Sequence, residues 1–198
     1  MRKAATLLAL LPLAAAGLGG GLWLGLGGDA EATARPRGNF STADAARFSE
    51  FRLYDLGPAH EGLPVTAVIR DDRLRLPGER VRENAVTFVY GDCEPVEDTG
   101  CAPPLQVQVW PACERNLAVY PNERILPRRT LRLRGVPAAL FEDGHRLELY
   151  TGRETVVIFG NDTTQVLRAA AALRSVGGPA GGELPAPAAG ALSGRVAC

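Results

Sequence analysis

Four cysteines and two histidines carry the most specific chemistry in this sequence, and their spacing restricts what they can do. The cysteines read Cys93-x7-Cys101-x11-Cys113, with Cys198 far downstream. A zinc site takes about four Cys, His or carboxylate ligands, usually arranged as two close pairs, and no such pair is present. A Cys-x-x-Cys is missing too, which disfavours thioredoxin-like redox work. His60 follows Pro58-Ala59 and His145 follows Gly144, so both read as turn residues rather than partners of a cysteine nucleophile. No catalytic, cofactor-binding or metal-ligating residue is expected from these patterns. Disulfide formation is what remains.

Cys93 and Cys101 flank the connection between two strand-like runs, 85–90 and 105–110. If these runs pair as a hairpin, Phe88 opposite Val107 places residue 93 opposite 102. Phe88 opposite Leu105 places it opposite 100. Either register brings Cys93 beside Cys101, and a bridge closing about nine residues contributes roughly 2.5 kcal/mol in the chain-entropy model. Cys93–Cys113 and Cys101–Cys113 stay open as alternatives. Cys198 is left to reach Cys113, to pair between molecules or to stay free.

Other fragments have plainer readings. His60-Glu61 does not extend to a metalloprotease motif. Gly160-Asn161-Asp162 lacks a residue of the hydrolase fragment it echoes and reads as a helix cap, as does the formal glycosylation sequon Asn161-Asp162-Thr163. The acidic group Asp92, Glu94, Glu97 and Asp98 lacks the ligand spacing of a calcium loop. Arg128, Arg129, Arg132 and Arg134, with Arg73 and Arg75 elsewhere, read as a solvated strand face. Their functional reading is contact with lipid headgroups or anionic envelope polymers. The net charge is zero, which argues against nucleic acid as a partner.

The elements that must position these residues begin after a leader. Arg2 and Lys3 precede Ala4–Gly28, which holds no charged residue. That is about 25 residues, or roughly 37 Å as a helix, enough to cross a hydrocarbon core of about 30 Å. A basic start, an apolar stretch and then small residues is the layout of a secretory signal. Residues 1–28 are therefore a signal peptide or transmembrane anchor. The length favours the anchor, and cleavage after Ala16, Ala32 or Ala34 is the alternative. Gly17, Gly21 and Gly25 have the small-xxx-small spacing of close helix pairs, or simply mark a glycine-rich junction.

Residues 29–40 read as a linker and 41–176 as one α+β domain. Ser41-Thr42-Ala43-Asp44 opens a helix near 42–50. Strands follow at 65–70, 85–90, 105–110 and 131–134, the last one broken by Gly135-Val136-Pro137. Residues 146–150 and 154–159 flank Thr151-Gly152-Arg153 as a hairpin. The apolar run Val156–Phe159 reads as a central strand covered on both faces. A helix capped by Asn161 or Asp162 runs to about Ser175, with Val166, Ala170, Leu173 and Val176 on one side. The expected assembly is an antiparallel sheet of five to seven strands with one or two packed helices. Residues 177–198 are Ala, Gly and Pro with little to bury, which predicts a disordered tail.

Tyr90-Gly91-Asp92-Cys93, followed by Gly100-Cys101-Ala102-Pro103-Pro104-Leu105-Gln106-Val107-Gln108, resembles a segment of uncharacterised signal-anchored proteins from high-GC bacteria. The resemblance implies an extracytoplasmic setting and carries no assigned chemistry. With the leader and the cysteines, it sets the functional expectation: a module facing outside the cell membrane, or secreted, that works by binding and meets the membrane through its N-terminal segment. A cell-envelope enzyme with a site assembled from scattered residues, or a carrier of lipid or another apolar ligand, are the alternatives.

Overall fold

A computed structural model describes residues 40–71, 84–92, 94–96, 100–118, 126–141 and 144–198. The chain divides into two units, Met1–Arg35 and Pro36–Cys198, and every described residue belongs to the second. The leader and nearly all of the expected linker thus lie outside the described residues. Among those described, no helix is long and apolar enough to cross a membrane.

The first element forms where its cap dictates. Ser41 Oγ accepts from the Asp44 N–H at 3.1 Å, and Asp44 accepts from the Ser41 N–H at 3.0 Å. This reciprocal capping box starts helix α1 (Thr42–Arg47). The helix stops short of the expected 50 because Phe48 turns extended and packs edge-on against Phe40 and Phe51.

Strands β1 (Tyr54–Asp55), β2 (Ala59–His60), β3 (Leu63–Asp71), β4 (Ala85–Tyr90), β5 (Glu94–Val96), β6 (Gly100–Ala102) and β7 (Leu105–Pro111) follow. The second half adds β8 (Arg129–Leu133), β9 (Val136–Phe141), β10 (Arg146–Thr151), β11 (Glu154–Gly160), helix α2 (Thr163–Ala172) and β12 (Arg174–Ser175). Eight strands form one sheet in the order β2-β3-β4-β7-β11-β10-β9-β8, and every pairing in it is antiparallel. Two meanders meet where β7 pairs with β11, so Val156–Phe159 is central, as its apolar run requires. The α+β class holds, with eight strands in place of five to seven.

One of the extra strands, β9, has a definite cause. Gly135-Val136-Pro137 reads as a break, yet Leu133 pairs with Val136 across a two-residue turn. Arg134 and Gly135 both have positive φ, 49° and 84°, the tight hairpin turn whose twist matches that of its strands. Pro137 is tolerated in β9 because the pairing with β10 begins only at Ala138 and the neighbouring Leu133–Val136 pair carries the turn's hydrogen bonds. Charged, exposed Arg129 and Arg132 lie on the outer strand β8, which discourages edge-to-edge pairing.

One sheet face packs under α2. Phe88, Val107, Ile158, Leu147 and Leu149 meet Val166, Ala169, Ala170 and Leu173 in a single buried cluster. Asp162 caps α2 by accepting from the Gln165 N–H at 2.8 Å, while Gln165 Oε1 accepts from the Asn161 N–H at 2.6 Å. The helix ends at Ala172 rather than near Ser175, because Arg174 and Ser175 pair with Asp55 and Tyr54. The Arg174–Asp55 ion pair at 2.9 Å fastens that join.

Residues 177–198 correct the expectation of disorder. They form a strap laid over the turns of two hairpins. The Leu184 N–H donates to the Arg134 carbonyl, the Gly152 N–H to Pro185, and the Ala188 N–H to Gly152. Thr151 Oγ1 donates to the Pro185 carbonyl at 2.8 Å. Only Leu184 and Ala191 in the strap bury apolar side chains, so its order comes from these polar ties. Arg134 supplies more of them. Its guanidinium donates to the carbonyls of Gly181 and Gly182, both at 2.7 Å, and to Ala170 and Leu173 at the end of α2. Those helix carbonyls have no partner within the helix, and a cation beside them also opposes the negative end of the dipole.

Arg134→Gly separates the turn from the clamp. Glycine relaxes the left-handed backbone by about 1 kcal/mol, while loss of the charged donors costs more, for a net destabilisation of about 2 kcal/mol. Urea unfolding measures this, and a variant as stable as the parent would refute the clamp.

Candidate functional site

The cysteines lead to the site. After β7 the chain turns sharply: the N–H groups of Glu114 and Arg115 both donate to the Pro111 carbonyl at 3.0 Å, and the Asn116 side chain donates to Ala112 at 3.1 Å. That turn presents Cys113, which forms a disulfide with Cys198 across 85 residues of sequence, with 5.6 Å between the Cα atoms. A bridge over that span contributes about 4.5 kcal/mol in the chain-entropy model. The pairing removes the Cys93–Cys113 and Cys101–Cys113 alternatives. Phe88 pairs with Val107, and the strands continue as the β5–β6 hairpin with Pro95 opposite Cys101. Cys93 itself, the side chain of Cys101, and hence the expected bridge between them, lie outside the described residues.

Beside the Cys113–Cys198 bridge is a cleft of about 440 Å³ bordered by Glu50, Asn84, Glu114, Arg153 and Glu154, with Ala197 and Cys198 of the strap as one wall. Arg153 donates to the Ala197 carbonyl at 2.7 Å and holds that wall in place. Glu114 accepts from the Asn84 N–H at 2.8 Å. Glu50 accepts from Arg70 at 2.5 Å.

Glu154 opens β11 and is 8 % exposed. Its carboxylate accepts from the backbone N–H groups of Arg52 at 3.2 Å and Arg153 at 3.1 Å. Burial pushes its carboxyl above the usual carboxylate range, and those two donors with the Arg52 and Arg153 charges offset only part of that rise. A protonatable carboxyl in an acidic cleft is suited to holding or passing a proton. Neither histidine borders this cleft; His145 is exposed with Nδ1 3.2 Å from the Gly160 carbonyl oxygen, and His60 sits on the short outer strand β2. One ligand atom from each of Cys113, Glu114 and Cys198 lies within 4.8 Å of the others. With the sulfurs bonded to each other, neither is the thiolate that a metal takes.

A second charged group lies on the face of the sheet away from α2. Glu148, 0 % exposed in β10, accepts from Arg115 Nη2 at 2.6 Å and Nε at 3.2 Å. Tyr150 donates to its other oxygen at 3.2 Å, and Arg146 Nε is 3.6 Å away. Arg115 and Arg146 also lie over the rings of Trp110 and Phe141. A carboxylate this deep needs its donors, so the group reads as a polar pin for the loop after β7.

The remaining expected features are dispersed. Arg128, Arg129 and Arg132 are exposed on or beside β8, whereas Arg134 leaves that face for the clamp. Asp92 is exposed, while Glu97, Asp98, Arg73, Arg75 and the side chain of Glu94 lie outside the described residues. Sequence reasoning missed Glu148, Glu154 and Arg115. Glu148 alternates with Leu147 and Leu149, and Glu154 stands among polar residues beside the hairpin turn, so both read as solvent-facing. Only the chain folded over them buries them.

Glu148→Gln should destabilise by about 3 kcal/mol in denaturant unfolding, because it leaves Arg115 facing a neutral group; an effect near zero would contradict the pinning role. Glu154 gives a pH signature. With its folded pKa raised, its contribution is fully present below the ordinary Glu value and is lost as pH rises through the raised one. The stability of Glu154→Gln relative to the parent should therefore improve from pH 4 to pH 7, read as the difference in Tm. A flat difference would contradict the perturbed carboxyl. Set beside protein-family models, curated proteins and solved structures, the chain matches none of them.

Proposed function

We propose that this chain is an extracytoplasmic binding or interaction module, anchored in the membrane by its apolar N-terminal segment or secreted after losing it. The observation that carries the reading is the Cys113–Cys198 disulfide, since structural disulfides persist in oxidising compartments and are rare in the cytosol. The basic, apolar, small-residue layout of the first 28 residues supports the same address, as does the resemblance to signal-anchored proteins of high-GC bacteria.

Binding rather than catalysis is supported by how the titratable groups are spent. Cys113 and Cys198 are bonded to each other, the histidines stand away from the cleft, and the Glu148 group is engaged in packing. A carrier of apolar ligands would hold a deep, dry cavity. The clefts beside α1 and beside Glu154 are bordered instead by Arg52, Glu50 and Glu154. The zero net charge favours a partner other than nucleic acid. The second reading, a cell-envelope enzyme, rests on the raised carboxyl of Glu154 in its cleft.

Location is tested first. A phosphatase reporter that works only outside the cytoplasm, fused after residue 198, should be active. Alkylation without reductant should leave Cys113 and Cys198 unlabelled in the exported protein. A fusion active only as a cytoplasmic reporter would overturn the address.

A further inference from the structure

We infer that residues 177–198 form a redox-latched strap, released when an external dithiol opens the Cys113–Cys198 bridge. The inference concerns the purified chain and stands apart from its cellular address, so a failed reporter fusion leaves it untouched.

Three observations converge on it. The strap is thinly anchored: Leu184 at 8 % exposure and Ala191 at 2 % are its buried apolar residues, set against the ordering of a Gly- and Pro-rich segment that is costly to fix. Its far half folds mostly on itself, because Ala191, Ser193, Gly194 and Arg195 donate to carbonyls at Ala188, Gly190 and Ala191 within the strap. From Ala189 onward, the covalent and hydrogen-bonded ties to the body are the disulfide and the Arg153 bond to Ala197, beside a close contact of Gly194 with the Asn116 side chain. The near end, by contrast, is hooked independently by Arg134 at Gly181 and Gly182. Opening the disulfide therefore frees one end of an element whose other end stays fastened.

The bridge is placed for attack. Cys198 is exposed and Cys113 half-buried, so an incoming thiolate meets Cys198 Sγ first. The S–S bond breaks and Cys113 departs as a thiolate. The second thiol of the reductant then attacks the mixed disulfide, freeing the Cys198 thiolate. Two electrons pass to the protein, its two thiolates take protons from the reductant's thiols, and the dithiol becomes a disulfide. The Glu114 carboxylate, within 4.8 Å of both sulfurs in the closed bridge, disfavours the thiolate form of a cysteine beside it, and thiolate is the form that recloses the bond. Release removes the Ala197–Cys198 wall of the cleft and exposes Glu154 to water.

The test uses the full chain, oxidised and then treated with dithiothreitol under native conditions. Cys113 and Cys198 should become alkylatable. Amide exchange at Gly194 and Arg195, whose N–H groups bond within the freed half of the strap, should rise at least tenfold, while Val107 and Ile158 in the central strands stay protected. Reoxidation should restore the slow exchange. Cys198→Ser should show the fast exchange without any reductant, which separates the effect from Cys93 and Cys101. The inference fails if Gly194 and Arg195 keep their protection after reduction. It fails equally if the central strands lose protection with them, since the bridge would then be a global staple, or if dithiothreitol leaves the bridge intact.

Discussion

Arg134 is the point through which sheet, helix and strap are held to one another. Its backbone makes the turn between β8 and β9, at a positive φ that a glycine would accept more easily. Its guanidinium reaches the last carbonyls of α2 and two carbonyls of the strap. Burial lowers the pKa of this guanidinium from its ordinary value, yet at physiological pH the group stays charged. The backbone strain and the desolvation are offset by donors aimed at carbonyls that the helix cannot satisfy itself. A lysine, with one compact donor group, would not span the same set of acceptors.

The two faces of the sheet solve their packing by different chemistry. Under α2 the contacts are mostly aliphatic and aromatic, and Tyr90 brings a bonded polar group into them: its hydroxyl accepts from the Leu56 N–H at 2.8 Å and donates to the Gly57 carbonyl at 3.3 Å. Burial pushes that hydroxyl well above the usual tyrosine range, so it stays a neutral link between the core and the segment before β2. On the other face the loop after β7 is held by the Arg115–Glu148 pair, by Thr155 donating to the Arg115 carbonyl at 2.6 Å, and by a small cluster of Ala139, Phe141, Tyr150 and Leu117. An apolar face needs only the right period to assemble. A polar one also needs each donor to meet its acceptor, and such pairs fix the geometry of the loop more tightly than apolar contacts would.

This contrast accounts for what was legible in the residues alone. The strands at 85–90 and 105–110, the hairpin at 146–159, the capping box at Ser41 and a helix cap at Asn161 or Asp162 are local signals, each contained within a few neighbours. The register of Phe88 against Val107 was also within reach, as one of two. Glu148, Glu154 and the Cys113–Cys198 pair are not local. Each depends on a segment distant in sequence closing over a strand, and alternation along β10 cannot reveal that its outward face is covered. The Arg134 turn was hidden for a different reason: a left-handed arginine before glycine has no strong signature, and the proline two residues on pointed to a break.

The strap shows how a composition can suggest disorder and still be ordered. Low apolar content means that residues 177–198 cannot order themselves, and that part of the reasoning stands. Order is supplied from outside, by the guanidinium at one end, the hairpin turns in the middle and a covalent bond at the other. An element ordered in this way has little stability of its own, so its local opening is set by its few ties rather than by the whole core. That separates the strap from the sheet energetically while leaving it in contact with the cleft at Glu154. The poor burial that marked this segment as disordered is therefore also what allows one bond to govern it.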